Sequence, residues 1–424
     1  MKAHLSRICV FSQYNTALLA ALLAACGTGD SGAPSAGSDA PVTIRTGIDV
    51  VAAEGAGPLA GGRVGLITNH TGLTSDGRST IDVLHAHPEV ELVALFAPEH
   101  GIRGDAEAGA IIEDGRDTRT GLPVHSLYGE VNTPTAEMLE GIDVLVFDIQ
   151  DIGTRYYTYP WTMALALRTA AENGRRFIVL DRPNPLGGVQ VQGNVLDSAF
   201  ASFVGLYPVP MRHGLTVGEL AQLINAQFDM GADLHVVQVS GWQRAQWYDA
   251  TGLPWVAPSP NMPNLESATH YPGTCLFEGT NLSVGRGTPH AFQQIGAPWL
   301  SPEAVIARMT AMSLPGVRLE AVTFVPESPG DGKFDGESAR GIRFHATDRA
   351  TYDPTRTAVA ALIAIRDEHP DRFEFLENHF DRLAGTDRLR LGLLANDALY
   401  SLTEGWRSQI AGFEERRRVH LLYP

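Results

Sequence analysis

Glu99 is the first residue in this chain whose type and setting could do chemistry. It stands in Phe96-Ala-Pro-Glu-His-Gly-Ile-Arg-Gly104, directly after the apolar run 90–96, which is typical of a buried strand. Ligands of α/β sheets bind outside the carboxyl ends of the strands, so an acid placed here is well positioned for catalysis. The proline before Glu99 and the glycines after it favour a shaped loop. We therefore take Glu99 as the first candidate for a catalytic carboxylate.

Polar side chains also follow three other predicted strands. Those at the strand ends, with the histidine next to Glu99, are Asn69, His70, His100, Asp148, Gln150, Asp151, Arg155, Tyr156 and Asn184. Any one of them could cap a helix or close a turn. Their repetition along one edge of a sheet favours a binding cleft.

The chemistry open to these residues is narrow. The 14 histidines include no H-E-x-x-H motif, and Cys275 has no thiolate partner, so a zinc site of that kind lacks a motif. No G-x-S-x-G elbow and no P-loop occur, and the glycine-rich patch 55–62 precedes the first predicted strand. We therefore expect no cofactor, no metal and no nucleotide. Carboxylates, amides, aromatics and arginines remain, which are the equipment of a carbohydrate-cleaving site.

The elements that must position these residues alternate between apolar runs and helical patterns. The predicted strands are Arg63–Asn69, Glu91–Ala97, Ile142–Asp148, Arg176–Asp181 and Leu234–Val239, and the predicted helices are Ser79–His87, Trp161–Asn173 and Thr216–Met230. The last helix opens with Thr216-Val-Gly-Glu219, the spacing of a capping box. This alternation predicts an α/β fold with a Rossmann-like, mostly parallel sheet.

A smaller α/β (α+β) C-terminal domain is expected to follow, with the active-site cleft between the two. Its predicted elements are a helix opening at Ser301, strands Val317–Phe324 and Gly341–His345, and helices Thr355–Glu368 and Ala398–Arg417. We expect a catalytic domain over residues 43–268 and an auxiliary domain over 269–424. Both should fold on a core supplied by 44% hydrophobic residues, without disulfides.

Residues 1–26 are typical of an export signal. Lys2 and Arg7 precede an apolar stretch that ends in Leu23-Ala-Ala-Cys26, which resembles a bacterial lipobox whose cysteine becomes lipidated. The alternative is an ordinary cleaved signal with an incidental cysteine. Residues 27–42 are predicted to be a flexible linker, and the mature protein would be an exported lipoprotein held on a membrane by Cys26, facing the periplasm or cell exterior. The formal charge of −16 argues against a nucleic-acid partner.

A series of motifs in the same order resembles one known family. The motifs are Gly65-Leu-Ile-Thr-Asn-His-Thr-Gly72, Phe96-Ala-Pro-Glu-His-Gly101, Ser126-Leu-Tyr-Gly129, Phe147-Asp-Ile-Gln-Asp-Ile-Gly-Thr-Arg-Tyr-Tyr157, Asp181-Arg-Pro-Asn-Pro-Leu-Gly-Gly188, Pro258-Ser-Pro-Asn-Met-Pro263 and Glu278-Gly-Thr-Asn-Leu-Ser-Val-Gly-Arg-Gly-Thr288. They closely resemble the NamZ-type exo-β-N-acetylmuramidases, formerly the DUF1343 family. The likeness runs from about Gly61 to Pro298 and weakens afterward, and the loop Pro326–Lys333 departs from the family pattern.

The resemblance implies a glycoside hydrolase that releases terminal N-acetylmuramic acid from the non-reducing end of peptidoglycan fragments, with Glu99 as its catalytic glutamate. A second carboxylate is usually needed, and Glu278 is the first candidate, followed by Asp148 or Asp151. The substrate's own acetamido group could instead serve as nucleophile. Glu278 could equally be a turn residue that caps backbone amides.

Muramic acid carries a lactyl carboxylate, which an arginine fork would bind. Arg286, between two glycines, is favoured over Arg155, which could equally pair with a nearby aspartate. Tyr128 and Asn281 complete the substrate-binding candidates. The alternative function is a non-catalytic, lipid-anchored protein that binds wall fragments or sugars.

Overall fold

The computed structural model describes residues 43–99, 101–102, 114–129 and 131–424. Its first nine strands are β1 Arg63–Thr68, β2 Glu91–Ala97, β3 Gly115–Arg116, β4 Pro123–Ser126, β5 Val144–Asp148, β6 Arg176–Leu180, β7 Gln192–Val195, β8 Pro210–Arg212 and β9 Leu234–Val237. Seven of them form one sheet in the order β3-β4-β2-β1-β5-β6-β9, while β7 and β8 pair separately. All neighbours in the large sheet are parallel except β3 and β4. The strand order reverses between β1 and β5, where Rossmann-like sheets bind ligands.

Helices cover both faces of this sheet, as buried central strands require. They are α1 Gly47–Glu54, α2 Thr80–Ala86, α3 Tyr159–Glu172 and α4 Val217–Gln227. Side chains of α1 and α2 pack with Val64, Leu66 and Val146 on one face. Those of α3 and α4 pack on the other face with Phe147 and Phe177. No described helix is both long and apolar enough to span a bilayer.

The C-terminal part is built around a small antiparallel sheet. Its elements are α5 Leu265–Thr274, β10 Gln294–Ala297, α6 Pro302–Thr310, β11 Val317–Phe324, β12 Ala339–Ala346, α7 Pro354–Glu368, α8 Glu377–Ala384, α9 Arg388–Leu394, α10 Leu399–Thr403 and α11 Trp406–Arg417. The strand order is β10-β12-β11. At Gly273 on α5, a Cβ atom would lie 2.0 Å from the Pro354 carbonyl oxygen, so glycine lets α5 approach α7. The apolar core containing Phe177 of the large sheet also contains Phe344 of the small one.

The predicted α/β architecture is confirmed. Strand β2 has the predicted limits, and Thr216 and Glu219 form the expected capping box of α4. One predicted helix, Ala398–Arg417, is wrong as a single element, because the chain forms α10 and α11 with a break at Glu404 and Gly405. The boundary predicted between residues 268 and 269 stays a prediction. The predicted signal and linker, residues 1–42, lie outside the described residues.

Candidate active site

Glu99 lies on a tight turn at the carboxyl end of β2. The turn is closed by a hydrogen bond of 3.0 Å from the Gly101 N–H to the Pro98 carbonyl, with Gly101 in the left-handed region at φ 71°. Thr158, the residue before α3, donates its hydroxyl to Oε2 of Glu99 at 2.7 Å. The Tyr128 hydroxyl is also hydrogen-bonded to Glu99, and burial together with this carboxylate raises the pKa of Tyr128. These contacts fix the orientation of the Glu99 carboxyl.

Glu278 lies on a short 3₁₀ helix, Cys275–Gly279, that continues directly from α5. Its Oε1 accepts a hydrogen bond of 2.8 Å from Nε of Arg286 and also contacts Nη2, and both side chains are only 16% exposed. Burial alone would raise the pKa of the Glu278 carboxyl, but the Arg286 charge and hydrogen bond bring it below its ordinary value. Glu278 is therefore held in its ionised form.

Glu99 and Glu278 line the same pocket, which has a volume of about 140 Å³ and also contains Arg286. Much of its wall is aromatic, formed by Tyr156, Tyr157, Tyr159, Tyr271 and Phe292. Carboxylates set among aromatic rings suit a sugar, whose apolar faces stack while its hydroxyls form hydrogen bonds. Of the sequence candidates, this pocket brings together Glu99, Glu278, Arg286 and Tyr156, with Tyr128 against Glu99.

The loop that carries Arg286 is fixed by packing against protein. Gly285 and Gly287 both have positive φ angles, and a Cβ on Gly287 would lie 2.5 Å from the Glu327 carbonyl oxygen. The glycines beside Arg286 therefore serve the backbone turn and its packing. Phe292, under the Arg286 guanidinium at 5.2 Å, has a φ of 62°, which is uncommon for a bulky residue. Such strained residues concentrate at functional sites.

Asp148 lies away from this pocket, at the end of β5. It is fully buried, and its two oxygens accept hydrogen bonds from Nε and Nη2 of Arg182 at 2.6 and 2.9 Å. The Thr80 hydroxyl donates to the same carboxylate. With its oxygens engaged in this way, Asp148 has a structural setting.

Asp151 is buried next to His213, outside the pocket wall. Its Oδ2 accepts a 2.7 Å hydrogen bond from the Gly153 N–H and lies 3.7 Å from Nε2 of His213. Burial raises the pKa of Asp151 to about 7 and lowers that of His213 to about 3. Because the Leu215 N–H donates to Nδ1, the neutral His213 ring carries its proton on Nε2.

Arg155 is also placed in the interior. It is fully buried, and its guanidinium donates to the carbonyls of Asn194, Val209, Leu383 and Ala384 at 2.8 to 3.1 Å. Arg155 does not line the pocket, whereas Arg286, the other predicted arginine, does.

The other predicted amides also bond to the backbone. Asn184 donates to the Leu215 carbonyl and accepts from the Leu186 N–H, and Gln150 donates to the carbonyls of Asp151 and Pro183. Asn281 joins the segment near Arg372 and Glu374. These three side chains hold loops together.

Asn69 and His70 line a neighbouring cavity of about 450 Å³. Nε2 of His70 is 2.7 Å from the Ala257 carbonyl oxygen, and Asn69 accepts from the N–H and hydroxyl of Thr71. A larger cavity of about 690 Å³ lies beside α11 and contains none of the predicted residues. His100 and Cys26 lie outside the described residues. Among the residues that the structure describes, no three His, Cys, Asp or Glu side chains lie close enough together to hold a metal ion.

Sequence reasoning missed Thr158, Tyr159 and Phe292 as parts of the site. Tyr159 donates its hydroxyl to the Pro258 carbonyl at 2.7 Å and stands edge-on to Tyr157. The motif that contains Pro258 was visible in the sequence, but its contact with the start of α3 depends on the fold. A small pocket with two carboxylates, one of them fixed as an anion, and aromatic walls is the kind of site that carboxylate-based glycoside hydrolases use.

Comparisons with known proteins give the family. Residues 64–266 match the family model described as "Exo-beta-N-acetylmuramidase NamZ, N-terminal", and residues 269–423 match its C-terminal counterpart. The chain belongs to this family, and the likeness extends well beyond Pro298, where the motifs alone had weakened.

Similar proteins agree with this assignment. The chain is 44% identical over 381 residues to the Peptidoglycan beta-N-acetylmuramidase NamZ of Bacillus subtilis (strain 168), covering 90% of this chain and 91% of the relative. A crystal structure of a DUF1343 family protein from Bacteroides fragilis NCTC 9343 matches 90% of this chain and all of its own, with 37% identity and a TM-score of 0.84. A second DUF1343 structure from the same organism matches at 30% identity and a TM-score of 0.72, covering 90% and 99% of the two chains.

Proposed function

We propose that this protein hydrolyses the glycosidic bond of a terminal N-acetylmuramic acid at the non-reducing end of peptidoglycan fragments. The observation that carries the proposal is the pocket shared by Glu99 and Glu278. Family membership and the name of the Bacillus subtilis relative support it. Neither favours the alternative of a non-catalytic sugar-binding protein.

The two carboxylates differ in what each can do. Glu278 is held as an anion by Arg286, so it cannot supply the proton that the leaving oxygen needs. Glu99 is therefore the general acid, with Thr158 fixing one of its oxygens. Glu278 is the anion that faces the positive charge developing on the sugar ring, as base or nucleophile.

The size of the pocket and its cation support an exo-acting muramidase. At about 140 Å³ the pocket is well below the ~300 to 1,000 Å³ of typical ligand clefts, which favours binding of a single terminal residue. Arg286 engages Glu278 through Nε and Nη2. The rest of the fork is the group that we assign to the lactyl carboxylate.

The test compares Glu99→Gln and Glu278→Gln on two substrates. One is a muramoside with a 4-nitrophenolate leaving group, which departs without protonation, and the other is the natural disaccharide, which needs an acid. We expect Glu99→Gln to lose about 10²- to 10⁴-fold in kcat/KM, which reports the step in which the leaving group departs, on the disaccharide and much less on the nitrophenyl glycoside. Glu278→Gln should lose comparable activity on both.

Binding of the muramoside by the wild-type protein without turnover of either substrate would overturn the proposal in favour of a binding protein. Equal losses in kcat/KM for Glu99→Gln on both substrates would remove Glu99 from the acid role. Far-ultraviolet circular dichroism of both variants checks that the fold is intact.

We further propose that the protein is an exported lipoprotein that acts from a membrane surface through lipid on Cys26. The support is the sequence of residues 1–26 with its lipobox-like end. Cys26→Ala in the full chain should abolish labelling by a radioactive fatty acid and move the protein from the membrane to the soluble fraction. Unchanged labelling and fractionation would contradict the anchor.

A further inference from the structure

Tyr157 lines the pocket and carries a buried hydroxyl whose hydrogen bonding the protein does not complete. The side chain is 8% exposed, and its buried hydroxyl makes no hydrogen bond of standard geometry with any described residue, although Ser259 lies beside it. The neighbouring tyrosines differ, because Tyr156 donates to the Pro272 carbonyl at 3.1 Å and Tyr159 to the Pro258 carbonyl. Buried hydroxyls in native proteins find a partner in protein, water or ligand. Tyr157 lines the pocket, so a ligand bound there can supply the hydrogen-bond acceptor that its hydroxyl lacks.

The ring that carries this hydroxyl is rigidly held. It stands edge-on to Tyr159 and to Tyr271, with ring centroids 5.1 and 6.0 Å away. Burial, with the nearby Glu99 and Asp151 charges, raises the pKa of Tyr157 far above its ordinary value. The group is thus a fixed phenol, which donates a hydrogen bond and does not act as an anionic nucleophile.

The location of the hydroxyl narrows the choice of acceptor. Glu99 and Glu278, which act at the anomeric carbon in the proposed function, line the same pocket as Tyr157, so we place Tyr157 near the atoms around that carbon. Three acceptors surround that carbon: the glycosidic oxygen, the ring oxygen and the 2-acetamido carbonyl. The lactyl carboxylate is already assigned to Arg286. Glu99 protonates the first, and a donor to the ring oxygen would oppose the positive charge that develops on it. The acetamido carbonyl remains.

We propose that the Tyr157 hydroxyl donates a hydrogen bond to the 2-acetamido carbonyl oxygen of the bound sugar and so selects N-acetylated over deacetylated muramyl residues. The proposal rests on the proposed function and extends it to substrate selection. Arg286 would then read the lactyl group and Tyr157 the acetamido group of the same sugar.

The experiment measures kcat/KM for the wild type, Tyr157→Phe and Tyr156→Phe. The two substrates are 4-nitrophenyl β-glycosides of N-acetylmuramic acid and of muramic acid with a free 2-amino group. For Tyr157→Phe we expect a loss of about 10- to 100-fold on the acetylated substrate and a change within about twofold on the amino substrate. Because the Tyr157 hydroxyl makes no hydrogen bond of standard geometry with the protein, the melting temperature of Tyr157→Phe should not fall below that of the wild type.

Tyr156→Phe is the matched control, since it removes a neighbouring pocket hydroxyl that serves the backbone. It should lower the melting temperature and leave the preference between the two substrates unchanged. Three results would each overturn the role of Tyr157. They are an equal loss of kcat/KM on both substrates in Tyr157→Phe, no loss on either substrate, and a larger drop in melting temperature than Tyr156→Phe shows. A wild-type enzyme that cleaves neither substrate would instead overturn the proposed function, and this proposal with it.

Discussion

The ends of β5 and β6 and the end of β2 carry acids in similar sequence settings, yet they use them in opposite ways. Asp148 is the last residue of β5 and Asp181 directly follows β6. Both are fully buried, and the oxygens of each accept hydrogen bonds from neighbouring donors. Glu99 follows β2, is partly exposed and faces a cavity that also receives Glu278 from the C-terminal part. An acidic residue at the end of a strand therefore has two possible roles in this fold: a buried structural group, as Asp148 and Asp181 are, or a group that lines a pocket, as Glu99 does.

The difference arises from what lies against each strand end. At β5 and β6 the facing elements supply donors, such as Arg182 to Asp148, and the hydroxyls of Thr216 and Tyr423 to Asp181. At β2 the facing elements are aromatic rings and the segment with Arg286, which do not fill the space. A site forms where the acids of two segments converge and the packing leaves a cavity between them.

The strongest way to test this contrast is Asp148→Asn. The change leaves the buried Arg182 guanidinium without its counter-charge, so we expect the free energy of unfolding to fall by about 3 to 5 kcal/mol. Urea denaturation measures it. Asp233→Asn, in an exposed pair with Arg176, is the control and should change stability little. Loss of activity in Asp148→Asn without loss of stability would return Asp148 to the list of catalytic candidates.

The buried pair of Asp151 and His213 predicts a specific pH dependence. Between about pH 4 and 6.5 the unfolded chain carries a proton on His213 and none on Asp151, whereas the folded chain carries one on Asp151 and none on His213. The proton counts are equal, so the pair gives stability no slope in this window. In Asp151→Asn, His213 is the only one of the two residues that still titrates, and the unfolded chain binds one more proton than the folded chain. The free energy of unfolding should therefore rise with pH by about 1.4 kcal/mol per pH unit relative to the wild type.

His213→Gln is the mirror-image variant. Only Asp151 then titrates, and the folded chain binds one more proton than the unfolded chain. The free energy of unfolding should therefore fall with rising pH by about 1.4 kcal/mol per pH unit relative to the wild type. Chemical denaturation at pH 4.5, 5.5 and 6.5 gives the free energy of unfolding of each variant and of the wild type, and the difference between them gives the two slopes. Parallel curves for all three proteins would mean that the two residues titrate normally in the folded protein.

Much of the fold follows from local signals, but the site depends on distant contacts. The limits of β2 and the cap of α4 were predictable because apolar runs and the Thr216–Glu219 spacing act over a few residues. Helix α5 was missed because it is polar and contains Pro272, and its helical state is favoured by packing against α7. The setting of Arg155 depends on carbonyls 228 and 229 residues away, which no local pattern reveals.

Within the site, Arg286→Lys tests whether one side chain serves both Glu278 and the substrate. A lysine is a point charge without the planar fork of arginine. It can neutralise Glu278 but cannot at the same time form a bidentate hydrogen bond with the lactyl carboxylate of the substrate. We expect the preference in kcat/KM for an N-acetylmuramoside over the matching N-acetylglucosaminide to fall about 10- to 30-fold. If both substrates lost activity equally, Arg286 would serve Glu278 alone.

The smallest effect should come from Lys333, in the loop that departs from the family pattern. Its ammonium donates to the carbonyls of Glu278 and Leu282 at 3.0 and 3.1 Å, and its charge helps to lower the pKa of the Glu278 carboxyl. Lys333→Met keeps the apolar stem and removes the charge, so the pKa of Glu278 should rise. Because Glu278 must be ionised, the acid limb of the pH profile for kcat should move to higher pH, with a loss of about 3- to 10-fold near that limb. Lys333→Arg should keep the wild-type profile, whereas an unshifted limb in Lys333→Met would show that Arg286 alone holds Glu278 ionised.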